Sequence, residues 1–422
     1  MVTGSVGPRV WLALCLGLAV PAKAADWPQI LGPDRNGVAS DDEKLLPRWP
    51  DGGPSVVWER PVGSGVAGIA VQGPRAILFH RRGDEEIVEA LDVNNGQTQW
   101  QSKYPTTFRP QVGGEDGPLC VPTIVDGRVV TFGAQGVLSC LDLTSGRLLW
   151  RRKTHDDFDA REGYFGAGSS PVLWGDQVIV NVGGFRSQAA VVSFDVETGE
   201  TLWHLYDDHA SYSSPRVVTI DGQERLLVET RLNFLLIDPT EGKLMAEIPF
   251  GGRGPTVNGA NPVLLGDQLF LTASYNIGAL LARLSSAAIT ESWRADSLYS
   301  SQYCTPVSDG AALYGVDGRQ DGPPGELKCF DPITQRVLWS QPDFGYGTMI
   351  LLDGKLVILR TDGTLILATA NRERFDPLAT TRVLTGTARA LPAMSNGRLY
   401  VRDETTLKSL QIGITPANTS SP

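Results

Sequence analysis

A ten-residue stretch that returns along the chain constrains the fold more than any other feature. LDLTSGRLLW ends at Trp150, and its relatives LDVNNGQTQW, FDVETGETLW and FDPITQRVLW end at Trp100, Trp203 and Trp339. The Asp can bond its own backbone and the Gly of most copies accepts a positive φ, so the motif predicts a tight turn between two strands. The Trp then falls on the second strand, where it can pack against a neighbouring repeat.

The sequence around the motif repeats as a unit of four short strands. In the clearest copy, VPTIVDGRVVTFGAQGVLSCLDLTSGRLLW, a strand follows a proline and a D-G turn leads to a second strand. A loop, a third strand, the Asp turn and the strand with Trp complete the unit. Runs of Val, Ile, Leu and Phe between Gly, Asp and Asn turns are typical of β hairpins. We find no convincing amphipathic helix after Ala25.

The spacing of the repeats predicts the architecture. The Asp and Trp positions recur about every 42 to 53 residues, the size of a four-stranded propeller blade. The chain contains eight strand entries, the last copy has three strands, and SVVWERPV stands unpaired ahead of the first. We therefore predict an all-β, eight-bladed β-propeller of four-stranded antiparallel blades over residues 55–412. The N-terminal strand should close the ring by pairing Val56–Arg60 with Leu407–Ile412, which removes open edges. A seven-bladed ring is the alternative.

The Trp and Cys residues occupy equivalent positions in different copies of the repeat. Six Trp residues are expected to wedge between blades: Trp58, Trp100, Trp150, Trp203, Trp293 and Trp339. The fourth copy has Ala246 at this position and the seventh has Phe375 nearby, which predicts two weaker joints. Cys120, Cys140, Cys304 and Cys329 occupy equivalent places on first and third strands, which a second strand separates by roughly 9–10 Å. That distance favours buried thiols over a disulfide within a repeat, because it exceeds the Cα reach of a disulfide.

The ends of the chain predict export. Arg9 precedes the apolar run VWLALCLGLAV, and Ala22, Lys23 and Ala24 follow it, a pattern typical of a cleaved secretory signal over residues 1–24. Cys15 raises the alternative of a lipoprotein, but apolar residues continue beyond it. We expect an irregular arm over 25–54, a disordered tail over 413–422, no transmembrane segment after cleavage, and a periplasmic or extracellular location.

The charge and the histidines exclude several function classes. The formal net charge is −10, so a nucleic-acid partner is not expected. The four histidines, His80, His155, His204 and His209, form no HExxH and no metal-ligand pair. Glycine-rich GGRGPT has no helix after it to cradle a phosphate. We therefore predict no metal site and no catalytic residues.

The repeat signature A-x-D-x-x-T-G-x-x-x-W resembles that of the PQQ-like β-propeller proteins. This superfamily includes the quinoprotein alcohol dehydrogenases and the BamB-type propeller of outer-membrane protein assembly. The segment WPQILGPDRNGVA also resembles the start of many exported bacterial propellers of this kind. The resemblance covers about residues 55–412, and it identifies the fold better than the function because the residues that carry it are structural.

The resemblance implies one enzymatic alternative, a PQQ-dependent oxidoreductase. Quinoprotein dehydrogenases hold PQQ between a Trp floor and a ring of adjacent disulfide-linked cysteines, and they use calcium with an Asp base. No two cysteines are adjacent here, and Trp174 lies beside a predicted turn. We therefore predict no cofactor, with PQQ and calcium as the alternative.

Four long loops predict where a ligand would bind. TFRPQVGGEDG, KTHDDFDAREGYFGAGSS, YDDHASYSS and FGGRGPTVNGAN join blades and are rich in polar and aromatic residues. They should converge at one mouth of the central channel. The candidate ligand-binding residues are Arg109, Glu115, Asp116, His155, Asp156, Arg161, Tyr164, His209, Tyr212, Arg253, Asn258 and Tyr303, with Tyr299 and Tyr346 nearby.

Mixed Arg, acidic and Tyr side chains on a concave mouth suit a polar small molecule, a glycan or a protein segment. The simpler alternative is that polar loops only cover the channel. We expect a monomeric, exported, non-catalytic binding or scaffolding module. The rivals are a quinoprotein-type oxidoreductase and a cell-envelope assembly factor for the outer membrane.

Overall fold

The computed structural model describes residues 25–254 and 256–415 and arranges them as an eight-bladed β-propeller. The predicted signal peptide, residues 1–24, lies outside the described residues, as does the predicted tail from residue 416 onward. Each blade is one four-stranded antiparallel sheet. The predicted fold class and blade number are therefore confirmed. In the described chain, helix is limited to the single turn α1, Thr154–Asp157, and a 3-10 turn at Phe185–Ser187.

The first four blades follow one another along the chain after strand β1, Ser55–Pro61. Blade 1 consists of β2 Ala70–Gln72, β3 Arg75–Arg82, β4 Glu85–Asp92 and β5 Thr98–Pro105. Blade 2 consists of β6 Thr123–Val125, β7 Arg128–Phe132, β8 Val137–Asp142 and β9 Leu148–Lys153. Blade 3 consists of β10 Val172–Trp174, β11 Gln177–Gly184, β12 Ala189–Asp195 and β13 Thr201–Leu205. Blade 4 consists of β14 Arg216–Ile220, β15 Gln223–Glu229, β16 Asn233–Asp238 and β17 Lys243–Pro249.

The remaining four blades complete the ring. Blade 5 consists of β18 Val263–Leu265, β19 Gln268–Ala273, β20 Gly278–Leu284 and β21 Ile289–Ala295. Blade 6 consists of β22 Val307–Ser308, β23 Leu313–Asp317, β24 Glu326–Asp331 and β25 Arg336–Gln341. Blade 7 consists of β26 Gly347–Leu352, β27 Lys355–Arg360, β28 Thr364–Thr369 and β29 Asp376–Arg382. Blade 8 combines β30 Ala393–Ser395, β31 Arg398–Arg402 and β32 Thr406–Gln411 with β1.

The N-terminal strand closes the ring as the sequence predicts. Strand β1 pairs antiparallel with β32, with Val56 opposite Leu410 and Arg60 opposite Leu407. This pairing joins the two ends of the folded chain in one sheet, so blade 8 has the same four strands as the others. Beyond β32, the backbone N–H of Ile414 donates to the carbonyl of Lys44 in the N-terminal arm.

The six Trp residues lie at joints between consecutive blades. Each indole N–H donates to a main-chain carbonyl in the turn of the next blade; for example, Trp100 donates to Leu143 at 3.0 Å and Trp150 to Val196 at 2.8 Å. Trp58, Trp203, Trp293 and Trp339 make the same bond to Val93, Pro239, Pro332 and Asn371. Burying most of an indole contributes on the order of 2–3 kcal/mol. The repeated motif is thus the joint between blades.

The glycine of the motif has two roles at such a joint. Gly146 has a φ of 70°, which the Asp142 turn requires. The indole of Trp100 also lies directly over it, and a Cβ at Gly146 would be 2.4 Å from Cε3 of Trp100. Gly96, Gly199 and Gly242 lie beneath the preceding Trp in the same way. The wedge and its seat therefore come from adjacent copies of one motif.

Two joints lack the Trp, in the two copies where the sequence predicted weaker joints. In blade 4 the position belongs to Ala246, which lies opposite Leu236 beside the usual bulge. In blade 7 the equivalent residue is Ala379, opposite Leu367, and Phe375 lies near it, four residues earlier in the chain. The ring of Phe375 instead lies 6.0 Å from that of Trp339, where it packs at the joint between blades 6 and 7. The turn between β28 and β29 is longer than in the other copies, because Thr369 pairs with Asp376 whereas the equivalent Asp331 of blade 6 pairs with Arg336.

The N-terminal arm supplies a different filling for the joint between blades 7 and 8. Trp49 is buried in one apolar cluster with Leu365 and Leu367 of blade 7 and Leu399 of blade 8. Its indole N–H has no hydrogen-bond partner among the described residues. The arm is fixed beside this joint by the hydroxyl of Thr381, which donates to the carbonyl of Gly52 at 3.0 Å.

The first part of the arm crosses the central channel. Trp27 and Val71 of β2 in blade 1 exchange two backbone hydrogen bonds, and Val38 bridges to Leu351 of β26 in blade 7. Between them, the buried Arg35 donates to the carbonyls of Ser170 and Pro171, at the entry to blade 3, at 3.0 and 2.9 Å. Blades 3 and 7 lie opposite each other in the ring, so the arm crosses the channel and covers one end of it.

The four cysteines of the propeller are buried free thiols. Cys120 donates to the carbonyl of Ser169 at 3.3 Å, and burial raises the pKa of Cys304 to about 11. The thiols are therefore protonated at neutral pH and act as small apolar core residues. The prediction of buried thiols over intra-repeat disulfides is confirmed.

Candidate functional site

The long loops surround a blind cavity at the open end of the central channel. This channel pocket has a volume of about 490 Å³, and it is lined mainly by the linkers that lead into the innermost strands. Val66, Leu119, Tyr212 and Val257 form parts of its wall, and Ile30 of the arm also lines it. Because the arm covers the other end of the channel, a ligand that enters from the mouth meets a closed apolar well.

A few polar side chains interrupt this apolar lining. They include Glu115, Gln302, Tyr303, Asp321 and Arg389. The hydroxyl of Tyr303 donates to Gln320 at 2.7 Å, and its ring packs edge-on against Tyr346 with the centroids 4.8 Å apart. Tyr303 is therefore held rigidly in the wall. Sequence reasoning identified Glu115 and Tyr303 but missed Ile30 and Arg389.

A second cavity, the polar cleft, opens beside the channel pocket between the loops of blades 2, 3 and 4. It has a volume of about 630 Å³ and a more polar lining. Six of the predicted site residues line it: His155, Arg161, Tyr164, His209, Tyr212 and Arg253. The loops that the sequence singled out therefore converge on one cleft.

Tyr212 belongs to both cavities and forms the wall between them. Its hydroxyl accepts a hydrogen bond from the backbone N–H of Phe165 at 3.1 Å, and burial raises its pKa to about 12. The ring packs closely on Gly168, where a Cβ would lie 2.3 Å from Cδ1. Tyr212 is thus a fixed neutral partition, with an apolar well on one side and a polar cleft on the other.

The two histidines of the cleft have different surroundings. His155 is buried, packs edge-on against Phe132, and lies so close to Gly136 that a Cβ there would be 2.3 Å from the ring. Burial lowers the pKa of His155 to about 4, so it is neutral at physiological pH. His209 stacks on the exposed ring of Phe185 with the centroids 5.1 Å apart. His155 therefore supports the cleft, whereas His209 is part of its surface.

Charged side chains of both signs line the cleft, with Glu162, Asp207 and Asp208 among the arginines. Arg161 and Arg253 are exposed lining residues, and the guanidinium of Arg231 lies 5.9 Å from the ring centre of Tyr164. The carboxylate of Asp208 accepts hydrogen bonds from the hydroxyl of Thr230 and the backbone of Leu232, both at 2.8 Å. Asp208 is thus committed to holding the loops, while Arg161 and Arg253 face solvent.

Other predicted residues lie outside these two cavities and support the fold. Arg109 pairs with Asp116 at 3.6 Å, and Asp116 also pairs with the buried Arg81. Asn258 is fully buried and its carbonyl accepts from the backbone N–H of Tyr212 at 3.0 Å. Tyr299 is buried and stacks on Phe330. Asp156 pairs with Lys153 at 4.0 Å on the surface.

The channel pocket does not fit pyrroloquinoline quinone. That quinone carries three carboxylates and needs several cationic donors together with a metal ion. The pocket contains Arg389 together with two carboxylates, Glu115 and Asp321, and Ile30 fills the region beneath. Among residues 25–254 and 256–415, no group of three or more His, Cys, Asp or Glu side chains is placed to hold a metal ion. The donor set is thus wrong in charge for a tricarboxylate.

The fold and repeat define a class, the PQQ-like β-propellers, and comparison with known proteins assigns the family within it. The family model described as "Outer membrane protein assembly factor BamB" matches residues 84–341, more than half of the chain. The protein therefore belongs to this family. The match covers the last two strands of blade 1 and all of blades 2 to 6, a stretch that contains the four long loops.

Two curated relatives and one solved structure show how far the similarity extends. The outer membrane protein assembly factor BamB of Burkholderia pseudomallei (strain K96243) is 27% identical over 206 residues, 48% of each protein. The quinohemoprotein alcohol dehydrogenase of Comamonas testosteroni is 24% identical over 138 residues, 31% of this chain and 18% of that enzyme. The chain thus spans about half or less of these relatives.

The crystal structure of BamB from Moraxella catarrhalis superposes with a TM-score of 0.62 at 16% identity. The superposition covers 85% of this chain and all of that one, which shows a shared fold. Within the described part of the protein, no helix has the length and apolar character needed to cross a membrane.

Proposed function

We propose that the protein is an exported, non-catalytic binding module that holds an amphipathic segment of a partner protein at the long-loop mouth. The observation that carries this proposal is the pairing of an apolar well with a polar cleft across one side chain, Tyr212. A segment with an apolar group next to polar residues matches both cavities at once. A purely apolar ligand would leave the polar cleft empty, and a purely polar ligand would leave the apolar well empty.

The rim of the mouth supports a protein ligand. Val112 of the channel pocket is 48% exposed and Phe185 of the cleft is 43% exposed. Large exposed apolar side chains next to a concave site are typical of interaction surfaces. The arm makes the well blind, so a partner would insert a side chain or a chain end and would not thread through the ring.

The family supports the same class of ligand. The Burkholderia relative is named for outer membrane protein assembly, a role exercised on other proteins. The quinohemoprotein relative would favour an oxidoreductase, but the mismatch between the channel pocket and a tricarboxylate argues against that role here. Export rests on the sequence pattern before residue 25.

Site-specific photocrosslinking in the producing cells tests the proposal. A photoreactive phenylalanine analogue at Val112 should capture a defined partner protein, whereas the same analogue at Val337 should not. Val337 is a matched control because it is 43% exposed but lies on outer strand β25, away from the mouth.

A second substitution links the adduct to the channel pocket. Leu119→Trp fills part of the well, so it should remove the Val112 adduct while the thermal midpoint stays unchanged. The same adducts from both positions, or none from Val112, would contradict the proposal. So would dye-linked alcohol oxidation by the purified protein after addition of PQQ and calcium.

A further inference from the structure

One cation in the wall of the channel pocket has no hydrogen-bond or ion-pair partner among the described residues. Arg389 lies in the linker between blades 7 and 8 and lines the pocket. Its Nε is buried without a hydrogen-bond partner, and Arg389 takes part in none of the ion pairs found among the described residues. A buried polar atom of a charged side chain is costly when it stays unpaired. Such an atom in a ligand-sized cavity points to a missing anion.

One of the two carboxylates in the same pocket is paired with another arginine, and the other lies near the buried Arg402. Asp321 receives two hydrogen bonds from Arg319, Nε to Oδ1 at 3.0 Å and Nη2 to Oδ2 at 3.1 Å. Burial lowers the pKa of Arg402 to about 10, and the nearby carboxylate of Glu115 opposes that lowering. Neither carboxylate pairs with Arg389, so its charge remains available to a ligand.

The surroundings of Arg389 define the rest of that ligand. Leu391, Val66 and Ile30 line the same well, whose volume of about 490 Å³ suits a small ligand or a chain end. The side chain of Tyr303 is fixed by its hydrogen bond to Gln320. Burial raises the pKa of Tyr303, and the positive charge of Arg389 opposes that rise. A guanidinium matches a carboxylate with two parallel hydrogen bonds. One guanidinium in an apolar well therefore selects one carboxylate on an apolar body.

We propose that the channel pocket binds a monocarboxylate with an apolar or aromatic body, whose carboxylate pairs with Arg389. The inference rests on the proposed function and specifies it, because the carboxyl end of a polypeptide with an apolar last residue has this chemistry. A free aryl-alkanoic acid shares it. The pocket is then a receptor for a carboxylate-bearing apolar end, and the polar cleft holds what precedes that end.

Calorimetric titration of the purified full-length protein tests the charge pairing. The probe is 3-phenylpropionate, and its neutral counterpart is 3-phenylpropanol. The acid should bind at least about tenfold more tightly than the alcohol, as expected for a hydrogen-bonded charge pair shielded from water. Arg389→Met should remove this preference, and Arg389→Lys should restore part of it. Arg374→Met is the matched control, because Arg374 is exposed in the turn between β28 and β29 and lies outside the pocket.

Two peptides distinguish the sources of the carboxylate. N-acetyl-Leu-Phe with a free carboxyl end should bind more tightly than its C-terminal amide if the ligand is a chain end. Binding of the free acid without binding of the peptide would assign the pocket to a small acid. Both results keep the pairing with Arg389.

The inference and the proposed function fail in different ways. Equal affinity of Arg389→Met and the unchanged protein for 3-phenylpropionate, or no binding of either carboxylate at millimolar concentration, would overturn the inference. The Val112 adduct would be unaffected by that result. Conversely, loss of the partner adduct from the mouth would overturn the proposed function, while the acid could still titrate into the well.

Discussion

Six joints of the ring contain a Trp wedge, and two do not. At four of the six Trp joints, the Trp and the glycine beneath it come from consecutive copies of one motif, as in Trp100 and Gly146. At the joint between blades 4 and 5, Ala246 is surrounded by larger apolar side chains such as Met245 and Ile289. At the joint between blades 7 and 8, the N-terminal arm brings Trp49.

The comparison shows that the ring needs a filled joint more than it needs the motif. A local motif fills most joints because its hydrogen bond to the next turn is repeated with it. Where the motif is missing, neighbouring side chains or a distant segment exclude water in its place. The joints without a motif Trp depend on contacts between segments that are distant in sequence. Mutations there should therefore change the free energy of unfolding by different amounts from mutations at the Trp joints.

Truncating a motif Trp should have the largest effect. Trp100→Ala removes a buried indole and leaves the Leu143 carbonyl unpaired, so we expect a loss of about 3–5 kcal/mol in the free energy of unfolding. Trp174→Ala should cost only about 1 kcal/mol, because Trp174 lies at a blade edge bonded to the exposed Glu224. Urea denaturation followed by circular dichroism measures both. Similar losses for the two variants would show that the wedge has no special role.

Adding a methyl group beneath the wedge should have an intermediate effect. Gly146→Ala places a Cβ 2.4 Å from Cε3 of Trp100 at a positive φ, whereas Gly127→Ala has a similar φ of 74° with no atom within 4 Å. The second change should cost about 1–2 kcal/mol from backbone conformation alone. The first should cost about 1–3 kcal/mol more, because the indole must move. Equal midpoints in urea would mean that the seat is not tightly packed.

The sequence predicted most of the fold because its signals are local. The Asp, Gly and Trp of the motif set the blade positions, and the unpaired SVVWERPV predicted closure by β1. The sequence placed Phe375 only near the Trp position of the seventh copy, because the turn before Ala379 is longer than the turn before Trp339. The sequence could not predict the role of Trp49, because Trp49 lies in the N-terminal arm, outside the repeated motif.

The site was less predictable for the same physical reason. Long polar loops placed His209 and Tyr212 at the mouth, and both line the polar cleft. The apolar well beside it depends on Ile30, which reaches the channel because the arm crosses the ring. Arg389 lies in a short linker of ordinary composition, TARALP, so only its unpaired Nε reveals it. Features made by contacts between distant segments cannot be found from local patterns.

Replacing an indole by a phenyl ring should have the smallest effect on the free energy of unfolding, and that effect should differ between the two kinds of joint. Trp100→Phe deletes the donor to the Leu143 carbonyl and should cost about 1–2 kcal/mol. Trp49→Phe deletes an N–H that is buried without a partner, so the relief from that unpaired donor offsets the smaller ring, and the net change should stay within about 1 kcal/mol. The measurement is the urea midpoint of both variants. A larger loss for Trp49→Phe than for Trp100→Phe would mean that the arm holds its joint more tightly than the motif does.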